Sequence, residues 1–281
     1  MEKIRLRNGF EIPQIGMGTW QITDKGVMEK LLVCAYKTGY RLIDTAAAYS
    51  NEITLAKAIR ETGIPREELI LSDKVWNTSR GYNAVQEACK KSLKKLKTGY
   101  LDIYLIHWPA PAKLYPSWNE INADTWRGME ALYKEGLVKV IGVCNFKVQH
   151  LVELKKTAVV MPFINQIECH PGMAQADISG YCRKERIQVM ASSPLGNGQV
   201  LNNSILTGIA GKNNVSAAQV CLGWAIQKGM VVIPKTSNVN RLKENMDVYG
   251  FRLSEEEMQI IDNIPYCGGI GIDSDEEAGF G

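Results

Sequence analysis

The chain has 281 residues, 45% apolar and 22% charged, a globular balance with enough length to bury a core without disulfides. A net charge of +3 is too small to argue for nucleic-acid or membrane partners, and no run of about 18 apolar residues exists to span a bilayer. The cysteine count of 7 is odd and contains no Cys-x-x-Cys pair, which points to a reduced, cytoplasmic protein with neither a disulfide framework nor a zinc site.

The opening segment, Met1 to Arg7, lacks the apolar stretch of a signal peptide. Residues 3–7 and 10–12 alternate around Asn8-Gly9, a dipeptide that favours a hairpin turn. Short apolar runs predict strands near 15–18, 40–43, 69–73, 102–106, 138–143, 163–167, 187–191 and 231–233. Helical patterns fall near 25–38, 51–62, 80–97, 124–135, 147–156, 175–185, 215–228 and 238–248. A further helix near 254–262 begins at Ser254, with Glu257 completing a capping box. Strand and helix alternate at roughly 30 residues per unit, without a linker or composition break. The reading is one α/β domain over 1–281: a (β/α)8 TIM barrel with an N-terminal β-hairpin and long loops at the C-terminal face. Segments 108–123, 192–206 and 264–281 are too long for plain connections, and the first two belong on the catalytic face. The acidic run from Asp273 to Glu277 reads as solvated; it lacks the spacing and central glycine of a calcium loop.

Four reactive side chains recur at one kind of place. Asp44 lies at the end of Leu42-Ile-Asp, with Tyr49 one turn beyond; Lys74 ends the run from Leu69, and His107 the run from Leu101. In a parallel barrel the strand C-termini surround one pocket, so residues far apart in sequence meet there. An acid, a phenol, an amine and an imidazole together form a proton donor beside a pocket, suited to reduction. Each also has a bland reading: a buried strand-end acid, a helix cap, a surface lysine, a core histidine. Their joint placement favours the functional one.

A hydride needs a carrier, yet Gly-x-Gly-x-x-Gly is absent: Gly16-Met-Gly18 meets Gln21 and Gly269-Ile-Gly271 meets Ser274. Near the C-terminus, Lys235 and Arg241 flank a helix start, where free N–H groups and the macrodipole favour phosphate. Two solvated cations at a helix start remain the alternative.

The segments Gly18-Thr-Trp20, Asp44-Thr-Ala-x-x-Tyr49, Lys74-Val-Trp76, Leu105-Ile-His-Trp-Pro109, Ile141-Gly-Val-Cys-Asn-Phe146, Asn165-Gln-Ile-Glu168 and Ile233-Pro-Lys235 together resemble the aldo-keto reductase family of bacterial type, from Asn8 to about Cys267. The resemblance implies NADPH-dependent (NADPH/NADP+) reduction of aldehydes and ketones by a metal-free, monomeric barrel. It implies that Tyr49 is the general acid, that Lys74 lowers its pKa, that Asp44 holds Lys74, and that His107 orients the carbonyl. It places Asn145 and Gln166 on the carboxamide, and Gly18, Thr19, Ser193, Leu195 and Thr236 along the cofactor. Lys235 and Arg241 would hold the 2′-phosphate, and Glu244 and Asn245 the adenine.

Trp20, Trp76 and Trp108 follow strand ends and would wall the substrate pocket, with Trp118 a weaker candidate. His150 is expected on a helix surface, His170 in a structural role, and Met173 and Met190 as space fillers. Two departures stand out: Cys144 replaces the family's common serine, and Ser192 replaces the aromatic that stacks on nicotinamide. They give what support there is to a nicotinamide-binding sensor or scaffold that rarely turns over. Metal-dependent hydrolysis needs several strand-end ligands, and His107 and His170 alone do not supply them.

Overall fold

The computed structural model describes residues 2–276. An antiparallel hairpin of β1 (Lys3–Arg5) and β2 (Glu11–Pro13) opens the chain. Its loop is a turn closed by Gly9 N–H donating to the Leu6 carbonyl at 2.9 Å, with Gly9 at φ 84. That is the three-residue hairpin geometry, in which glycine takes the left-handed position. Arg7 donates to the carbonyl of Met161 (2.7 Å) and Asn8 to that of Lys139 (3.0 Å). The hairpin therefore lies at the N-terminal ends of the strands, away from the site.

Eight parallel strands follow: β3 (Gly16–Gly18), β4 (Leu42–Asp44), β5 (Ile70–Val75), β6 (Leu101–Ile106), β7 (Val138–Cys144), β8 (Ile164–Glu168), β9 (Gln188–Ser192) and β10 (Val231–Val232). Each bonds to its neighbour in sequence. The two edges then meet, with Val232 N–H donating to Gln14 (2.9 Å) and Gly18 N–H to Pro234 (3.1 Å). This closes the predicted TIM barrel. Gly18 suits the seam, because a Cβ there would crowd the Ile233 carbonyl oxygen at 3.1 Å.

The outer layer is α1 (Lys25–Thr38), α2 (Glu52–Thr62), α3 (Tyr82–Leu96), α4 (Trp118–Lys134), α5 (Val148–Lys155), α6 (Ala176–Lys184), α7 (Ser204–Asn213), α8 (Ala217–Gln227), α9 (Val239–Met246) and α10 (Glu255–Asp262). Two elements differ from the sequence reading. Helix α4 begins at Trp118 instead of 124, its first turns being polar and half exposed. Helix α7 occupies part of what reads as a loop: Gly208 and Gly211 lower its propensity, while Asn203 caps it by accepting from Ile205 N–H at 2.9 Å.

The tail is the third difference, and a correction. Asp273 and Asp275 both pair with Lys147, and Asp275 also accepts from Gln149 at 2.8 Å. The acidic run is a strap across the barrel mouth, because the loop after β7 places Lys147 beneath it; Glu277 lies outside the described residues. His150 is likewise not on the surface. It is 1% exposed, accepts from Lys147 N–H at 3.1 Å and faces Asp275 at 2.9 Å.

Candidate active site

Strand pairing explains why the reactive residues meet. Asp44 pairs in register with Ser72, and Lys74 lies two residues further along β5, so all three face the barrel axis. Asp44 and Lys74 are thus the inward residues of the strand ends themselves, while His107 directly follows β6. Tyr49 closes a 3₁₀ turn, Ala47–Tyr49, that returns it over the barrel mouth.

The Lys74 ammonium is fully buried. It donates to Asp44 Oδ2 at 2.6 Å, to the Thr45 carbonyl at 2.9 Å and, at longer range, to the Tyr49 hydroxyl at 3.4 Å. Asp44 Oδ1 is occupied by Ser72 Oγ (2.8 Å) and Gln166 Nε2 (3.1 Å). A buried ion pair whose remaining lone pairs are satisfied keeps its geometry. Burial works against the Lys74 charge, but Asp44, with Tyr49 and Cys144 adding to it, outweighs burial and holds the pKa above the ordinary lysine value.

At Tyr49 burial dominates, although Lys74 pulls the pKa down as expected. Burial pushes its hydroxyl up to about 12, and the opposing pull of Lys74 only partly offsets this. In this state the phenol is held protonated. His107 moves the other way: burial, then the Lys74 charge, hold it well below the ordinary histidine range, so it is neutral. Its ring meets Tyr49 edge-on at 5.9 Å and Trp76 at 5.2 Å. Asn145 Nδ2 donates to the His107 carbonyl at 3.0 Å, tying the end of β7 to that of β6.

Asp44, Tyr49 and His107 line one cavity of about 1070 Å3, and Lys74 stands directly behind them. Trp20, Trp76 and Trp108 line it as well, as do Gly18, Thr19, Asn145 and Gln166. Ser193, Leu195, Lys235, Thr236, Arg241, Glu244 and Asn245 lie along the same cavity. Trp118 is not among the lining residues; its ring packs edge-on against His150 at 5.1 Å. Gln166 spends its amide N–H on Asp44 and accepts weakly from the Cys144 thiol at 3.8 Å.

The cavity fits a dinucleotide on its own chemistry. Lys235 and Arg241 line one end and form no ion pair among the described residues. They flank the start of α9, where Asn238 caps the Asn240 N–H at 2.8 Å. Unpaired cations beside a helix N-terminus suit a phosphate.

The sequence reading missed three contributors. Lys147, Glu168 and the tail residues 270–274 line the cavity too. Glu168 accepts from Ile270 N–H (2.6 Å) and Gly271 N–H (2.9 Å), fastening the tail to the end of β8. Burial disfavours this carboxylate, but His170 and the two amides outweigh burial and lower its pKa. Glu168 closes the Asn165-Gln-Ile-Glu168 segment, so its strand-end position was a signal; the tail contact had none.

The chain belongs to the aldo/keto reductase family, whose sequence model matches residues 14–265. The protein is an oxidoreductase of that fold and family. It is 44% identical over 275 residues to the glyoxal reductase of Bacillus subtilis, covering 98% of this chain and 97% of that one. It is 39% identical over 278 residues to the methylglyoxal reductase DkgA of Escherichia coli K12, covering 98% of each. Among solved structures, MGS-M4, an aldo-keto reductase from a Medee basin deep-sea metagenome, superposes with TM-score 0.91 at 37% identity, covering 99% of this chain and all (100%) of that one. A mutant of Gox0644 in complex with NADPH superposes with TM-score 0.90 at 35% identity, covering 99% of each chain.

Proposed function

We propose that this protein reduces aldehydes and ketones to alcohols with NADPH, with Tyr49 as the general acid. The observation that carries the reading is the Asp44–Lys74–Tyr49 chain at the wall of a cavity whose other end holds unpaired Lys235 and Arg241. When bound, the reduced nicotinamide supplies a hydride to the carbonyl carbon.

The chain's own residues do the rest. Lys235 and Arg241 hold the phosphate that distinguishes NADPH from NADH, and Glu244 and Asn245 hold the adenine. Asn145 and Gln166 orient the carboxamide, with Gly18, Thr19, Ser193, Leu195 and Thr236 alongside. Neutral His107 directs the substrate oxygen toward Tyr49 without competing as a cation. Tyr49 donates its proton as negative charge develops on that oxygen, and Lys74 stabilises the phenolate left behind. Asp44 keeps Lys74 charged and in place. Trp20, Trp76 and Trp108 exclude water and present an apolar surface to the substrate.

The test is NADPH oxidation measured against sugar aldehydes, methylglyoxal, aromatic aldehydes and diketo acids. Turnover of at least one class is expected. Tight NADPH binding with no turnover on any of them would favour a sensor or scaffold instead.

A further inference from the structure

The cavity's two ends differ in charge. One has Lys235 and Arg241 unpaired. At the other end the sole lining cation outside the Asp44 pair is Lys147, among the described residues. Lys147 lies two residues beyond Asn145, whose amide reaches the His107 carbonyl. Its ammonium is already taken: Asp273 and Asp275 both bind it, the latter at 2.7 Å. Asp273 itself lines the cavity, as does Glu168. Two carboxylates therefore hold this ammonium, and a third, Glu168, lines the same cavity. His150, whose Nε2 faces Asp275 at 2.9 Å, adds little positive charge, because burial lowers its pKa despite Asp275.

We propose that Asp273 and Asp275 make the C-terminal tail a charge filter, which by occupying Lys147 turns the active site toward uncharged carbonyl substrates and against those bearing a carboxylate. The inference rests on the carbonyl-reductase reading of the cavity. A carboxylate entering this end finds no free cation and meets Glu168 and Asp273. Charges lining a cavity are screened less than charges in open solvent, so the repulsion is felt. An uncharged carbonyl loses nothing to these charges and still gains the tryptophan wall. The tail is anchored independently through the Ile270 and Gly271 amides on Glu168, so removing its acids frees Lys147 without releasing the strap.

The experiment compares 4-carboxybenzaldehyde with its methyl ester, which share the reacting carbonyl and differ in charge. The readout is the ratio of kcat/KM for acid over ester, with thermal unfolding as a check on the fold. The wild type is expected to prefer the ester. D273N/D275N should raise the ratio about tenfold, equivalent to about 1.4 kcal/mol. Adding K147Q to that variant should cut the gain sharply, leaving only the relief of Asp273 repulsion, and K147Q alone should lower the ratio below wild type. A ratio unchanged in D273N/D275N, or a gain undiminished by K147Q, overturns the filter. If D273N/D275N does not fold, K147Q alone decides, since an unchanged or higher ratio overturns it as well. Turnover of the ester with unmoved ratios leaves the reductase reading intact. Failure of both aldehydes to oxidise NADPH removes that reading and the filter with it.

Discussion

At the residue scale, position and burial set what each group does. Tyr49 is the phenol within reach of Lys74, and its proton is held firmly. Tyr49→Phe is expected to lower kcat by about 10²–10⁴-fold, the usual cost of a removed acid, with NADPH affinity nearly unchanged. Retention of more than about a tenth of kcat would mean another donor acts. Asp73 illustrates the opposite face of β5. It points away from the barrel axis, is fully buried, and accepts from Lys74 N–H at 2.8 Å. Burial, then the nearby Glu52, raise its pKa to about 7. A raised acid pKa means that the folded state binds the proton more tightly than the unfolded one. The stability it contributes is full below about pH 4 and is lost as pH rises through about 7. Asp73→Asn, which keeps an acceptor for Lys74 N–H, should therefore stabilise the protein by on the order of 2 kcal/mol at pH 8. The advantage should vanish near pH 4; urea midpoints at both pH values check this, and a pH-independent difference would refute it.

At the element scale, the proposed cofactor handling rests on the ends of two elements. The start of α9 brings Arg241 beside Lys235, and neither has an ion-pair partner among the described residues. Arg241→Ala should weaken NADPH binding by about 1.5–3 kcal/mol, the worth of a charged hydrogen bond, and leave NADH almost untouched. Equal losses for both cofactors would make Arg241 structural. The end of β9 places Ser192, half-buried, in the cavity wall, where it offers no aromatic ring for stacking on the proposed cofactor. Ser192→Tyr should tighten NADPH binding by roughly 0.5–1.5 kcal/mol, about threefold to tenfold, and slow its release. Fluorescence titration and stopped flow read both. Unchanged affinity in a folded variant would show that another side chain already covers the ring.

At the scale of the whole molecule, the barrel separates stability from chemistry, since parallel strands put the site at one end only. Asp102, 2% exposed near the start of β6, gathers Arg66 (2.7 Å), Lys139 (2.9 Å) and Leu71 N–H (3.0 Å). It ties three strands together at the end opposite the site. Asp102→Asn is expected to cost about 1.5–3 kcal/mol, the worth of hydrogen bonds to a charged group, since Arg66 and Lys139 keep part of their solvent, while kcat stays within about twofold. Denaturant unfolding and steady-state kinetics on one preparation separate the two effects; a fall in kcat with stability intact would contradict this division.

The sequence by itself determined the barrel and most of the cavity. Strand and helix periods are local, so the alternation was readable, and Asp44, Lys74 and His107 stood at ends of apolar runs. Helix α7 escaped because Gly208 and Gly211 weaken the local signal, whereas its hold comes from packing Leu206 and Ile209 into the core. The Tyr49 pKa also depended on three dimensions: the sequence places Lys74 nearby, but how much solvent the phenol loses is a property of the assembled wall. The strap is the clearest case. Asp273 and Asp275 look solvated in the chain, because Lys147 lies 126 residues before Asp273 in sequence. Only closure of the barrel brings the β7 loop beneath the tail, and charges find their partners through space rather than along the chain.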